Sequence, residues 1–242
     1  MNVRFPRFLE ILSYHKNVAE TVLMQDFDNR NSPRSIMSGM FSPAMMMTVA
    51  AVQIEGGLAV LAIAIAWVFG IPLREMFVFE TFSVLIALVA TVPMLVFCRL
   101  VYLLPLKAVE FTRRFMQSVY RDFIRHCSVT QLSLVAIMSG IGEELLFRGV
   151  LQTSITNACG GGTWGLAAGI VITSVLFGIV HPINKLYVFL CFIFGIYLGL
   201  IFVWSGNNLI IPIIIHALYN FVIFLAMPRM VGFTPDVRNS DS

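Results

Sequence analysis

Three short groupings carry the side chains of this 242-residue chain whose types and spacing could do chemistry. They are Glu143-Glu144-Leu145-Leu146-Phe147-Arg148-Gly149, Phe177-Gly178-Ile179-Val180-His181 and His216-Ala217-Leu218-Tyr219-Asn220. On an α-helix residues four apart are neighbours and successive ones differ by about 100°. Glu144 therefore faces Arg148, in the favourable order with Glu toward the N-terminus, and Glu143 points elsewhere. Phe177 likewise shares a face with His181, and His216 with Asn220. One Glu, two His and an Asn are what water activation needs: a base, a group to orient the water, and donors for an oxyanion. Taken singly, Glu144 with Arg148 reads as a buried strut and His181 as an interfacial ring. Three such groupings in apolar surroundings are hard to explain as struts alone.

Those surroundings follow from composition. Hydrophobic residues make up 58% of the chain and charged ones 12%, against roughly 45–50% and about 25% in a soluble domain. A globule needs a charged surface, and this chain has too few charges to make one. The expected fold class is all-α: a polytopic membrane helix bundle of about six transmembrane helices plus a cytoplasmic interfacial helix. Six apolar stretches, at about 44–69, 79–104, 131–157, 164–181, 186–204 and 209–227, approach or exceed the roughly 20 residues a bilayer core demands. Between them lie Gly70-Ile71-Pro72, Pro105, Gly160-Gly161-Gly162, Pro182-Ile183-Asn184 and Ser205-Gly206-Asn207-Asn208. An unpaired intramembrane charge costs at least about 2.5–3.5 kcal/mol, so each is a functional hypothesis by default. The first stretch adds Gln53 and Glu55, the latter either a structural partner or a lining of the site.

Six spans put both tails on one side, and the Lys and Arg residues say which. Of the 16, Arg74 alone falls on one side and Arg148 lies inside the third stretch; the others cluster in both tails, around the second connection and at Lys185. The positive-inside rule makes that side cytoplasmic. This predicts an integral, multi-pass protein with a cytoplasmic N-terminal tail over 1–43, a transmembrane domain over 44–227 and a cytoplasmic C-terminal tail over 228–242. No cleavable signal peptide is expected, since the polar start lacks a short apolar core before a small-residue cleavage site. A net charge of +3 gives no reason to expect a nucleic-acid partner.

Residues 106–130 read as the interfacial helix. Phe111, Phe115, Val119 and Phe123 recur every fourth residue, and Arg113, Gln117, Arg121 and Arg125 fall about 200° away. Lying on anionic lipid is the expected role, and a binding groove for a substrate's basic or acidic tail is the sharper alternative. Depth is a further check at about 1.5 Å per residue. Counted from the outer ends, Glu143 and His181 lie roughly 21 and 25 Å down, but His216 lies only roughly 11 Å below Leu209. His216 joins the others only if the sixth stretch starts deep or tilts.

Other membrane chemistries lack their residues. No pair of His one turn apart with an adjacent Glu exists for an HExxH zinc site. The five Asp lie outside the spans, which removes a paired-aspartate protease, and no Gly-x-Ser-Gly setting exists for a serine nucleophile. The four cysteines are scattered singly, with no CxxC pair. No cofactor is expected; should a divalent metal such as zinc take part, Glu143, His181 and His216 would be its ligands.

At these residues the chain resembles a known family. EELLFRG at 143–149, FGIVH at 177–181 and HALYN at 216–220 look like the motifs EExxxR, FxxxH and HxxxN of the CPBP family, the CAAX proteases and bacteriocin-processing enzymes also called Abi. All three occur in the family's order, over roughly 130–227. The resemblance implies an intramembrane endopeptidase acting on a membrane-associated or lipidated protein or peptide substrate. By that analogy Glu143 is the general base, His181 helps to hold the water, and His216 with Asn220 donates to the oxyanion. Glu144, Arg148 and Phe177 would support them. Both metal-dependent and metal-independent mechanisms have been described in the family, and the metal-independent one is favoured here. The chain is shorter than the eukaryotic CAAX enzymes and many compact members are bacterial, where CAAX prenylation is not expected; a bacterial cytoplasmic membrane is the expected location. The alternative is a non-catalytic membrane scaffold or bacteriocin-immunity-type protein of the same fold.

Overall fold

The computed structural model describes residues 42–230. The expected N-terminal tail, apart from its last two residues, and residues 231–242 lie outside the described residues. The elements are α1 (Pro43–Phe69), a 3-10 turn (Leu73–Met76), α2 (Thr81–Tyr102), α3 (Lys107–Asp122), a second 3-10 turn (Ile124–His126), α4 (Val129–Glu144), a π-helical segment (Leu145–Gln152), α5 (Thr153–Ala158), α6 (Gly162–Ile179), α7 (Lys185–Trp204) and α8 (Ile210–Met230). No strand occurs among the described residues, and five helices, α1, α2, α6, α7 and α8, are long and apolar enough to cross a membrane. That is the make-up of a multi-pass integral membrane protein. The last helix runs three residues into the expected C-terminal tail.

The third of the six expected spans departs from expectation in form. Residues 129–158 are helical without a break, but the stretch is divided among α4, the π segment and α5, so no uninterrupted α-helix of spanning length forms there. Its inner part also holds Glu143, Glu144, Arg148 and Gln152, all buried. A π segment widens the helix by one residue per turn and is frequent at functional sites. Here it follows directly on the two glutamates.

The start of α4 is fixed locally. Ser128 Oγ accepts from the Gln131 amide at 3.2 Å, and Gln131 Oε1 accepts from the Ser128 amide at 2.8 Å, a reciprocal capping box. Further along, Gly140 lets α4 and α8 meet backbone to backbone: a Cβ there would stand 2.8 Å from the Ile213 carbonyl oxygen. Ser139 and Glu143 on α4 are thereby set beside His216 and Asn220 on α8.

The depth discrepancy for His216 disappears because Leu209 is not at a surface. Leu209 is fully buried and gives its amide to the Met76 carbonyl at 2.8 Å. Asn208 beside it accepts from the amides of Val78 and Ile210, and donates to the Val78 carbonyl and Ser83 Oγ. The segment after α1 thus folds over the start of α8, which begins inside the bundle and carries His216 to the level of the other site residues.

Helix α3 matches the expected amphipathic element in place and, for part of its apolar stripe, in orientation. Its buried residues are Val109 and Tyr120, and Thr112, Phe115, Met116 and Val119 line a cavity. Phe111, expected on the same apolar stripe, is 54% exposed. Burial follows the packing partners rather than the phenylalanine spacing, because α7 and α8 offer the apolar surface that α3 covers. Thr112 Oγ1 accepts from Asn184 Nδ2 at 2.7 Å, and Asn184 Oδ1 caps α7 through the Tyr187 amide. On the outer side Glu110 takes both Arg114 and Arg113. The hydrogen bond from Arg114, with Arg113 beside it, holds the Glu110 carboxyl below its ordinary range.

Candidate active site

The cavity has a volume of about 350 Å³ and is walled by α2, α3, α7 and α8 with side chains such as Met94, Phe97, Met116, Leu190, Phe194 and Phe224. The expected Glu143, His181, His216 and Asn220 all line it, as does Ser139. The polar cluster holds two hydrogen-bonded sets, Glu144–Arg148–His216 and Glu143–Ser139–Asn220, in a mostly apolar lining.

Glu144 and Arg148 form its rigid base. They are 0% and 1% exposed, and Arg148 Nη1 donates to Glu144 Oε1 at 2.8 Å, the pairing that four-residue spacing predicts. Arg148 Nη2 donates to the Gly195 carbonyl of α7 at 3.1 Å, and the guanidinium carbon lies 4.9 Å from the centre of the Phe177 ring. A buried charge with this many partners is held in a single pose.

The same Glu144 Oε1 accepts from His216 Nδ1 at 2.8 Å. A carboxylate oxygen only accepts, so Nδ1 carries a proton. His181 is oriented in the same way from its own helix end: its Nδ1 donates to the Phe177 carbonyl at 2.7 Å, and its Nε2 stands 3.8 Å from Glu143 Oε2. Phe177 spaces the two imidazoles, with ring centroids 4.9 Å from His181 and 6.0 Å from His216, and is itself held edge-on by Phe147 at 5.1 Å.

Both adjacent glutamates bury an Oε2 that has no hydrogen-bond partner, and Glu143 differs in what its own faces. Its Oε1 accepts from Ser139 Oγ at 3.2 Å, while Oε2 is buried and has no hydrogen-bond partner. Buried carboxylate oxygens are ordinarily satisfied, so an orphaned one facing an imidazole across 3.8 Å has its chemistry left to do. Asn220 Nδ2 donates to the same Ser139 Oγ at 3.1 Å. Ser139 went unmarked as a site residue in the sequence, although it lies four residues before Glu143 and the helical neighbour rule reaches it.

Glu55 is not among the residues that line the cavity. It is half-buried on α1, with its backbone packed directly on Gly142, and its Oε2 is buried without a partner. Its carboxylate interacts electrostatically with Glu143 and His216. Among the described residues no group of three His, Cys, Asp or Glu could hold a metal ion. Glu143, His181 and His216 are not such a group.

Comparison with known families agrees with the motif reading. Residues 126–222 match the model of the type II CAAX prenyl endopeptidase Rce1-like family. These residues are an Rce1-like domain. It runs from just before the capped start of α4 to just past Asn220, so it encloses all three motifs and every polar residue of the cluster. No curated protein and no solved structure matches the chain. Helices α1 to α3 lie before the Rce1-like domain, yet α2 and α3 contribute walls of its cavity.

Proposed function

We propose that the chain is an intramembrane endopeptidase that hydrolyses peptide bonds with a water activated by Glu143 and His181. The observation that carries the reading is the tautomer of His181. With Nδ1–H given to the Phe177 carbonyl, the neutral ring presents Nε2 as an acceptor, and Glu143 Oε2 beside it is also an acceptor. Two acceptors 3.8 Å apart repel each other bare but are both satisfied by one water donating a proton to each, at ordinary hydrogen-bond lengths. The water's lone pair is then left for a substrate carbonyl. As the new C–O bond forms, Glu143 takes the proton from the water and later returns it to the leaving amine.

The developing oxyanion needs donors. Asn220 Nδ2 has two protons and spends one on Ser139, leaving one. His216 donates from Nε2 when both ring nitrogens are protonated, with Glu144 as the counter-charge at Nδ1. The mostly apolar cavity accommodates an apolar part of a membrane-associated or lipidated protein substrate. Both tails are proposed to face the cytoplasm, with membrane lipid around the bundle.

The test assumes no substrate. New protein termini are compared in membranes of cells expressing the wild type or Glu143→Ala at matched levels. Termini that appear only with the wild type establish proteolysis and name the substrate class. Identical termini contradict the reading and favour a non-catalytic scaffold.

A further inference from the structure

A hydroxyl inside an α-helix often gives its proton back to the carbonyl one turn earlier. Thr48, Thr91, Thr112, Ser133, Thr173 and Ser174 all do so in this protein, at 2.6–3.0 Å. Ser139 departs from that pattern. Its Oγ stands 3.2 Å from Glu143 Oε1, one turn ahead, and 3.1 Å from Asn220 Nδ2 on α8. It is buried and lines the cavity.

The proton accounting fixes the direction of both bonds. An ionised carboxylate oxygen only accepts and an amide nitrogen only donates, so Ser139 gives its one proton to Glu143 and takes one from Asn220. Two consequences follow. Tied at Oε1, the Glu143 carboxylate cannot rotate freely, and its Oε2 stays aimed at His181. Tied at one N–H, the Asn220 amide has a defined flip, with its second N–H left to donate. One oxygen atom therefore sets the base on α4 and a donor on α8 in mutual register, at the contact where Gly140 lets the two helices approach.

We propose that Ser139 is a positioning residue that aligns Glu143 with Asn220. The proposal rests on the endopeptidase reading and adds to it a residue outside the three motifs. A misaim of the order of 1 Å costs about 100-fold in rate, so removal of the hydroxyl is expected to slow turnover by roughly 10- to 100-fold without abolishing it.

The experiment follows the rate at which wild-type-dependent termini appear in membranes carrying the full chain, for the wild type, Glu143→Ala, Ser139→Ala, Ser139→Thr and Ser139→Val at matched levels. Thr and Val have nearly the same shape and differ in the hydroxyl, which separates positioning from packing. The expected result is slow Ala and Val variants, with Thr restoring most of the rate. An Ala variant as fast as the wild type overturns the proposal alone, and so do Thr and Val variants that are equally slow. If wild type and Glu143→Ala give the same termini, the endopeptidase reading falls and takes this proposal with it.

Discussion

At the scale of the residue, the two adjacent glutamates have opposite fates that their spacing explains. Glu144 is paired with Arg148 and His216 around one oxygen, whereas Glu143 receives a single hydroxyl and turns its unpartnered oxygen toward His181 in the cavity lining. Removing one member of a buried ion pair leaves the other uncompensated, at a cost of about 3–5 kcal/mol. Arg148→Ala is therefore expected to lower the melting temperature and the amount of protein in membranes, and unaltered values would contradict the strut. His181→Ala is expected to leave both unchanged and to reduce formation of wild-type-dependent termini by roughly 10²–10⁴-fold, the range of a positioned acid–base group. Because Glu143, His181 and His216 do not stand as a group that could hold a metal ion, proteolysis in washed membranes is expected to survive a strong chelator. Loss of activity that added zinc restores would require a different arrangement of these side chains.

At the scale of the element, what was legible in the sequence was whatever depends on near neighbours along the chain. The Glu144–Arg148 and Phe177–His181 pairings are helical geometry and needed no tertiary information. So was the existence of a helix after Pro105. Contacts that depend on distant packing were not legible: the π segment after Glu144, the exposure of Phe111 on α3, and the deep start of α8. The last of these is set by Asn208, 130 residues from Val78 in sequence, and no local pattern announces such a partner. Asn208→Ala would leave Val78 and Ile210 backbone groups unsatisfied, at about 1–3 kcal/mol each. It is expected to lower the melting temperature in detergent clearly, and a surface-like change of a few tenths would mean that α8 is anchored some other way.

At the scale of the whole molecule, the Rce1-like domain accounts for the polar cluster but not for the whole enclosure. Walls from α2 and α3 complete the cavity, so the segment before the domain bears on what the site admits. The proposed orientation has its own check in the native cysteines. Cys127 precedes α4 and Cys159 follows α5, at opposite ends of the continuous helical stretch. In intact cells a membrane-impermeant maleimide is expected to label the exposed Cys159, and to reach Cys127 only after permeabilisation. Burial pushes the Cys127 thiol up, so its labelling is also expected to be the slower. The reverse pattern would invert the topology and place the tails outside.

In the proposed reaction the Glu143 carboxylate does the chemistry. Glu143→Gln tests it most directly, since the amide keeps the shape of the side chain while removing its ability to take a proton from water. Membranes with matched amounts of wild type and Glu143→Gln would be compared for protein termini, alongside melting of the two purified proteins. Equal melting and the loss of the wild-type-dependent termini are expected. Termini that persist in the Gln variant at the wild-type rate would contradict it.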